Sequence, residues 1–173
     1  MRLEDLLNIK QEVTAESASQ TVEEIRQEIW RKRRIGAHCP CCGQKCRVYR
    51  RKITTQAAAW LVVLVRLWRK TGGQWIPVKN PELSRFTRGG DYAKLQHWGL
   101  IEQQVKGRSQ TRQSGMWRPT SRGVAFVDGQ ERVPQYCHIY LNKVMEFTGV
   151  DITINQALGR KFDYNELLLD GVN

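Results

Sequence analysis

The run Ala57–Val65, AAAWLVVLV, constrains what this chain can fold into more than any other stretch. Thr54 or Thr55 can cap it, and the spacing predicts a helix over roughly 55–70 that stops at Thr71-Gly72-Gly73. Ala57, Ala58, Trp60, Leu61, Leu64, Leu67 and Trp68 put apolar surface on more than one side of that helix. Such a helix has to be enclosed, by lipid or by the rest of the protein. The run meets Arg66 after nine apolar residues, against about 20 needed to cross a bilayer. It is therefore expected to be the central buried helix, with other elements arranged around it and no membrane as partner.

Charge is the second constraint. The 173 residues carry a net charge of +11, unevenly placed. Residues 1–28 hold seven acids and three bases, and residues 128–173 hold seven acids and four bases. Between Ile29 and Pro81 there is no acid, against thirteen Lys and Arg; residues 82–127 add eight bases and only Glu82, Asp91 and Glu102. A solvated face usually mixes signs, whereas a long acid-free block repels itself unless it meets a polyanion. The pattern points to nucleic acid, with a merely soluble basic surface as the plainer reading. The start, MRLEDLLNIKQ, lacks the basic and apolar regions of a signal peptide, so a cytoplasmic location is expected.

Local signals place the remaining elements. Thr21 and Glu24 form a capping-box pattern for a helix ending in RKRR (31–34). QWIPV reads as a short strand that Pro77 confines to an edge, and Asn80-Pro81 opens a short helix. After Gly89-Gly90, Asp91 is expected to cap a helix over DYAKLQHW. LIEQQVKG and MWRPT read as strands around a polar tip, RSQTRQSG, and Thr120 starts another helix. YCHIYLN and KVMEFTG form a second hairpin turning near Asn142, followed by short helical pieces at INQALG and DYNELLL. The expected class is α+β in four parts: an N-terminal helical segment (1–35), a Cys-rich knuckle (36–53), a core (54–128), and a C-terminal hairpin and tail (129–173).

The core carries a resemblance. Leu95, Gly99, Leu100, Ile101 and Glu102, then Arg108 and Arg112, then Trp117, Thr120 and Gly123 stand in an ordered pattern over roughly residues 54–128. It resembles the recognition helix, wing and exit of winged helix-turn-helix proteins of the bacterial multidrug-regulator type. The resemblance implies duplex DNA as partner, a recognition helix in the major groove and a basic wing on the backbone or minor groove. In that helix Tyr92, Leu95 and Trp98 face the core at three-residue spacing, leaving Lys94, Gln96 and His97 outward to reach bases or phosphates. Arg85 and Arg88 precede the helix, and Arg50, Arg51 and Lys52 form a further basic run on the expected DNA surface.

HCPCCGQKC (38–46) gathers four of the five cysteines. Cys39-Pro-x-Cys42-Gly resembles the knuckle of zinc ribbons: a tight turn points two thiolates at one ion, and Gly43 lets the chain fold back. Zn²⁺ is the expected cofactor, on Cys39, Cys42 and Cys46, with Cys137 closing the site; His38, Cys41 and His138 are other candidates. Reduced thiols, a reversible disulfide or an iron–sulfur cluster are the alternatives. No nucleophile with a base, paired carboxylates or deaminase signature stands in the basic half, so no enzyme is expected. The sequence thus points to a DNA-binding protein, a bacterial or phage transcriptional regulator, with a protein partner or second copy at the C-terminal region. The alternative is an adaptor in replication, transcription or host-defence interference that uses the same surfaces on a protein.

Overall fold

The computed structural model describes residues 21–105 and 113–169; the expected wing residues Arg108 and Arg112 lie outside them. The chain forms two compact units. Of the described residues, those up to Tyr49 with Ile139–Asn142 form one, and those of Arg50–His138 with those from Lys143 on form the other.

In the first unit, α1 (Val22–Lys32) begins with the anticipated capping box, in which Thr21 N–H donates to Glu24 Oε2 at 2.7 Å and Glu24 N–H to Thr21 Oγ1 at 3.3 Å. The Arg33 guanidinium lies over the Trp30 ring at 3.7 Å, and Trp30 meets Tyr140 edge-on at 5.8 Å. Beyond α1, β1 (Ala37–His38) and β2 (Lys45–Cys46) pair antiparallel, with Ala37 opposite Cys46.

The second unit is built around α2 (Thr55–Lys70), capped by Thr54, whose Oγ1 accepts from Ala57 N–H at 3.2 Å. Each residue from Ala57 to Val65 is at most 2% exposed, so the helix is enclosed as its sequence requires. Arg66, which ends the apolar run, is also drawn in. Its guanidinium pairs with Glu82 and donates to the Leu167 carbonyl at 2.7 Å, tying α3 (Pro81–Ser84) and α6 (Tyr164–Leu169) to α2. Among the described residues no helix is long and apolar enough to cross a membrane.

Two open antiparallel sheets complete the α+β unit. β4 (Ile76–Pro77), β6 (Gln113–Pro119) and β5 (Ile101–Val105) lie in that spatial order, with Ile76 opposite Trp117 and Glu102 opposite Arg118. Pro77 sits on the edge, where its missing N–H costs no ladder bond. The second sheet orders β3 (Tyr49–Lys52), β7 (Val133–Tyr140) and β8 (Lys143–Ile152). The β7–β8 turn uses Leu141 and Asn142 at φ 48° and 60°, the left-handed pair that matches hairpin twist. Helices α4 (Ser121–Val127), α5 (Ile154–Leu158) and α6 pack on α2.

The segment expected to be an α-helix is instead a 3₁₀ segment, Arg88–Trp98, interrupted by left-handed Gly89 and Gly90. Its geometry explains the three-residue spacing, because a 3₁₀ turn brings every third side chain into one row. Leu95 and Trp98 are 1% exposed, and Tyr92 stacks on Trp60 at 4.7 Å between centroids. Asp91 does not act as the expected cap: its carboxylate pairs with Lys94, one turn on.

The ordered residues Gly99-Leu100 and Thr120-x-x-Gly123 form one joint. Gly99 is left-handed (φ 68°), Thr120 Oγ1 donates to its carbonyl at 2.6 Å, and Thr120 N–H donates to the Leu100 carbonyl at 3.1 Å. The same hydroxyl accepts from Gly123 N–H at 3.0 Å, capping α4. A Cβ on Gly123 would stand 2.0 Å from the Leu100 oxygen, which is backbone and cannot swing aside. Gly123→Ala is therefore expected to lower unfolding free energy by about 3 kcal/mol, read by urea denaturation. A change below about 0.5 kcal/mol would contradict this joint.

Candidate nucleic-acid interface

Arg50, Arg51, Lys52, Arg85, Arg88, Lys94, Gln96 and His97 all belong to the second unit, whereas the basic run 31–34 belongs to the first. The 3₁₀ geometry sets Asp91, Lys94 and His97 in one row beside the row of half-buried Tyr92 and buried Leu95 and Trp98. β3 brings Arg51 close to that row. His97 feels the charges of both Arg51 and Lys94; burial first, then Arg51 and Lys94, hold its imidazole below the usual histidine range. Arg51, more than forty residues away in the chain, thus joins Lys94 around the imidazole of His97 in one basic cluster.

The cluster is held from below. Trp98 Nε1–H donates to the Pro134 carbonyl of β7 at 2.7 Å, and its ring meets Phe147 of β8 at 6.4 Å. Arg122 Nη1 donates to the Trp98 carbonyl at 2.9 Å while its Nε donates to Glu131 at 2.6 Å. Trp98 therefore fixes the C-terminal end of the 3₁₀ segment against the sheet that carries Arg51. Sequence reasoning missed this connection, since it placed the β7–β8 hairpin as an appendage. The signal lay in the same-face spacing of Val133, Cys137 and Ile139 along β7, and Val133 and Cys137 are fully buried.

The other expected residues distribute around this cluster in different ways. Arg50 is exposed and stacks over the Tyr136 ring at 4.1 Å, and Lys52 is exposed. Gln96 is exposed and its Nε2 donates to the Ala93 carbonyl at 3.1 Å, so one of its donors is used locally. Arg88 is exposed next to the glycine break; Arg85 is exposed with its guanidinium 5.5 Å from the Phe86 ring. A shallow cavity of about 400 Å³ beside Arg85 mixes Lys161 with Asp163 and Glu166, which does not suit one anionic ligand. Asp91 is the local opposing charge: paired with Lys94, it partly neutralises the row that would face phosphate.

The cysteine hairpin lies in the first unit. Cys39 N–H donates to the Gln44 carbonyl at 2.9 Å, Gly43 N–H donates to the Cys39 carbonyl at 2.7 Å, and Gly43 is left-handed (φ 70°). The backbone N–H groups of Cys42 and Cys41 donate to the Cys39 sulfur and hold its thiol below the ordinary value, whereas the charge of Cys39 pushes the Cys41 thiol up. Cys46 Sγ donates weakly to the Gln44 carbonyl at 3.6 Å. Cys137 is fully buried in the second unit, where burial raises its thiol to about 11. Among the described residues, no three His, Cys, Asp or Glu side chains form a metal-binding group. His138 Nε2 is hydrogen-bonded to Thr148 Oγ1 at 2.9 Å.

No protein-family model, curated protein or solved structure matches the chain.

The state of His97 has a measurable consequence. Burial and two neighbouring cations favour the neutral imidazole, so the unfolded chain, titrating near 6.5, binds this proton more readily than the folded one. Stability is then full above that range and falls as pH drops through about 6.5. In urea unfolding at pH 7.5 and 5.5, His97→Gln is expected to shrink the difference between the two pH values. An unchanged difference would contradict the cationic environment assigned to His97.

Proposed function

We propose that the second unit is a winged helix-turn-helix module that binds duplex DNA. The observation that carries this reading is that Arg51 of β3 lies close enough to the half-buried Lys94–His97 row of the 3₁₀ segment for its charge to act on His97. Order and topology support it: α2, β4, α3, the 3₁₀ segment, then β5 and β6, with β6 central between β4 and β5. The element order is the one expected of the core; in this reading the 3₁₀ segment takes the place of the recognition helix and β5–β6 that of the wing. Cations spaced along one row suit phosphate positioning, with Gln96 and His97 as the groups nearest to base reading. The role that follows is that of a transcriptional regulator of bacterial or phage type.

An adaptor reading has one observation of its own. β8 lies at the edge of its sheet and exposes Val144, Met145, Phe147 and Val150. Such an edge suits a protein partner. It leaves the cationic cluster without a role, and DNA binding is the better account of that cluster.

Fluorescence anisotropy with a labelled duplex, at low and moderate salt, tests the proposal. The wild type should bind, and its log affinity should fall linearly with log salt. Replacing both Arg51 and Lys94 by Ala should weaken binding at low salt by at least tenfold and reduce the salt slope by about 2, at unchanged melting temperature. Asp91→Asn should act in the opposite direction, tightening binding several-fold because Lys94 is released and a like charge is removed from the phosphate side. Equal affinity and slope in all three proteins would overturn the assignment.

A further inference from the structure

The first unit carries a charge pattern that the row of the second unit does not account for. From Ile29 to Pro81 the chain has no carboxylate; RKRR (31–34) closes α1, and Lys45 and Arg47 follow on the β1–β2 hairpin. The fold brings these two stretches together. Gly36 N–H donates to the Lys32 carbonyl at 2.7 Å and Val48 N–H to the Arg33 carbonyl at 2.8 Å, so the chain leaving the hairpin lies along the end of α1. Gly36 is left-handed (φ 106°), and a Cβ there would stand 3.6 Å from both Arg47 Cβ and Lys45 Cε. Both side chains therefore pass beside the glycine just beyond the helix.

Exposure alternates along that stretch: Lys45 and Arg47 are exposed, Cys46 and Val48 half-buried. Arg31 and Arg34, three residues apart at the helix end, are exposed as well. The other two bases of the run are used within the chain. Lys32 pairs with Glu28 at 2.5 Å, and Arg33 lies over Trp30 and donates to its carbonyl. A helix dipole offers about half a negative charge at this end, too little to account for four exposed cations, of which Lys45 and Arg47 lie outside the helix. We propose that Arg31, Arg34, Lys45 and Arg47 form a second nucleic-acid contact, which grips the phosphate backbone and reads no bases.

Charge complementarity argues for that occupant. Arg31, Arg34 and Arg47 each present a planar fork that matches two phosphate oxygens at once. A duplex with one charge per about 1.7 Å can meet all four cations together, whereas protein surfaces usually mix signs. An anionic membrane would call for apolar anchors beside the cations. Trp30, at the end of α1, is instead taken up by Arg33 on its face and by Tyr140 at its edge. Ile35 is exposed beside the patch, but one aliphatic side chain is little anchor. The proposal does not rest on the row of the second unit, because backbone contacts hold nucleic acid whichever surface reads it.

The test uses the full chain and labelled duplexes of unrelated sequence in fluorescence anisotropy across a salt series. Replacing Arg31, Arg34, Lys45 and Arg47 together by Ala should weaken binding at low salt by about tenfold or more and lower the salt slope by about 3 to 4, equally for every duplex. The far-UV circular dichroism spectrum should not change. Arg31→Lys, Arg34→Lys and Arg47→Lys together keep the charge and should keep the wild-type slope. Footprinting of the wild-type chain needs no variant to fold: acetylation of Lys45, read by mass spectrometry, should slow several-fold once duplex is bound. The Arg51→Ala, Lys94→Ala protein separates this surface from the row of the second unit. Loss in that protein and none in the four-site variant would overturn this proposal and leave the row standing; loss in the four-site variant alone would do the reverse. Lys45 acetylated equally fast with and without saturating duplex, or tighter binding to phosphatidylserine vesicles than to duplex, would also overturn it.

Discussion

A helix that is apolar on every side can persist in water only if every side is covered, and that condition organises the second unit. Ala57 to Val65 have almost no exposed surface. Covering them takes the 3₁₀ segment, β6 and the helices α4, α5 and α6, drawn from residues 88 to 169. Burial of that much aliphatic and indole surface is the main favourable term available to the unit. It also fixes where polar groups have to go. Arg66 follows directly on the buried run, and its charge is met by Glu82 and the Leu167 carbonyl. Leaving that guanidinium without partners would be costly, so α3 and α6 are held in place by the same residue that ends the run.

The candidate surface is a by-product of this enclosure. Tyr92, Leu95 and Trp98 are pinned to the core, and a 3₁₀ turn then lines up Asp91, Lys94 and His97 beside them. The second sheet seats on Trp98 through Pro134 and Phe147, and β3 in that sheet delivers Arg51. Three like-charged or chargeable groups close together repel, and Asp91 offsets part of that repulsion within the chain. A polyanion would offset it more fully, which links the packing of the core to the proposed function.

Much of this fold was legible locally. Thr54, Asn80 and Thr120 cap the helices they precede, Pro77 lies on a sheet edge, and the β7–β8 turn falls at Leu141-Asn142. Each of these follows from a backbone requirement within a few residues. What was not legible is non-local. The pairing of β3 with β7 joins strands more than eighty residues apart, and no periodicity in YRRK announces it. The 3₁₀ geometry of residues 88–98 was also missed, because an α-helix and a 3₁₀ helix share the three-residue spacing of Tyr92, Leu95 and Trp98; packing against Trp60 and Trp117 decides between them. Asp91 read as a cap because acids favour helix starts, yet Lys94 one turn away offered a stronger partner. For the cysteines, the turn was legible from Cys39-Pro-x-Cys42-Gly, whereas Cys137 proved to be a buried strand residue of the other unit.

In the proposed function, duplex DNA sits on one row of the 3₁₀ segment, with Arg51 beside it. Backbone amide shift mapping by ¹H–¹⁵N NMR during titration with a short duplex tests it most directly. The largest shifts should fall on Arg51, Lys94, Gln96 and His97 and their immediate neighbours, with β8 unmoved. Shifts concentrated on Val144 to Val150, or none at all at saturating duplex, would contradict it.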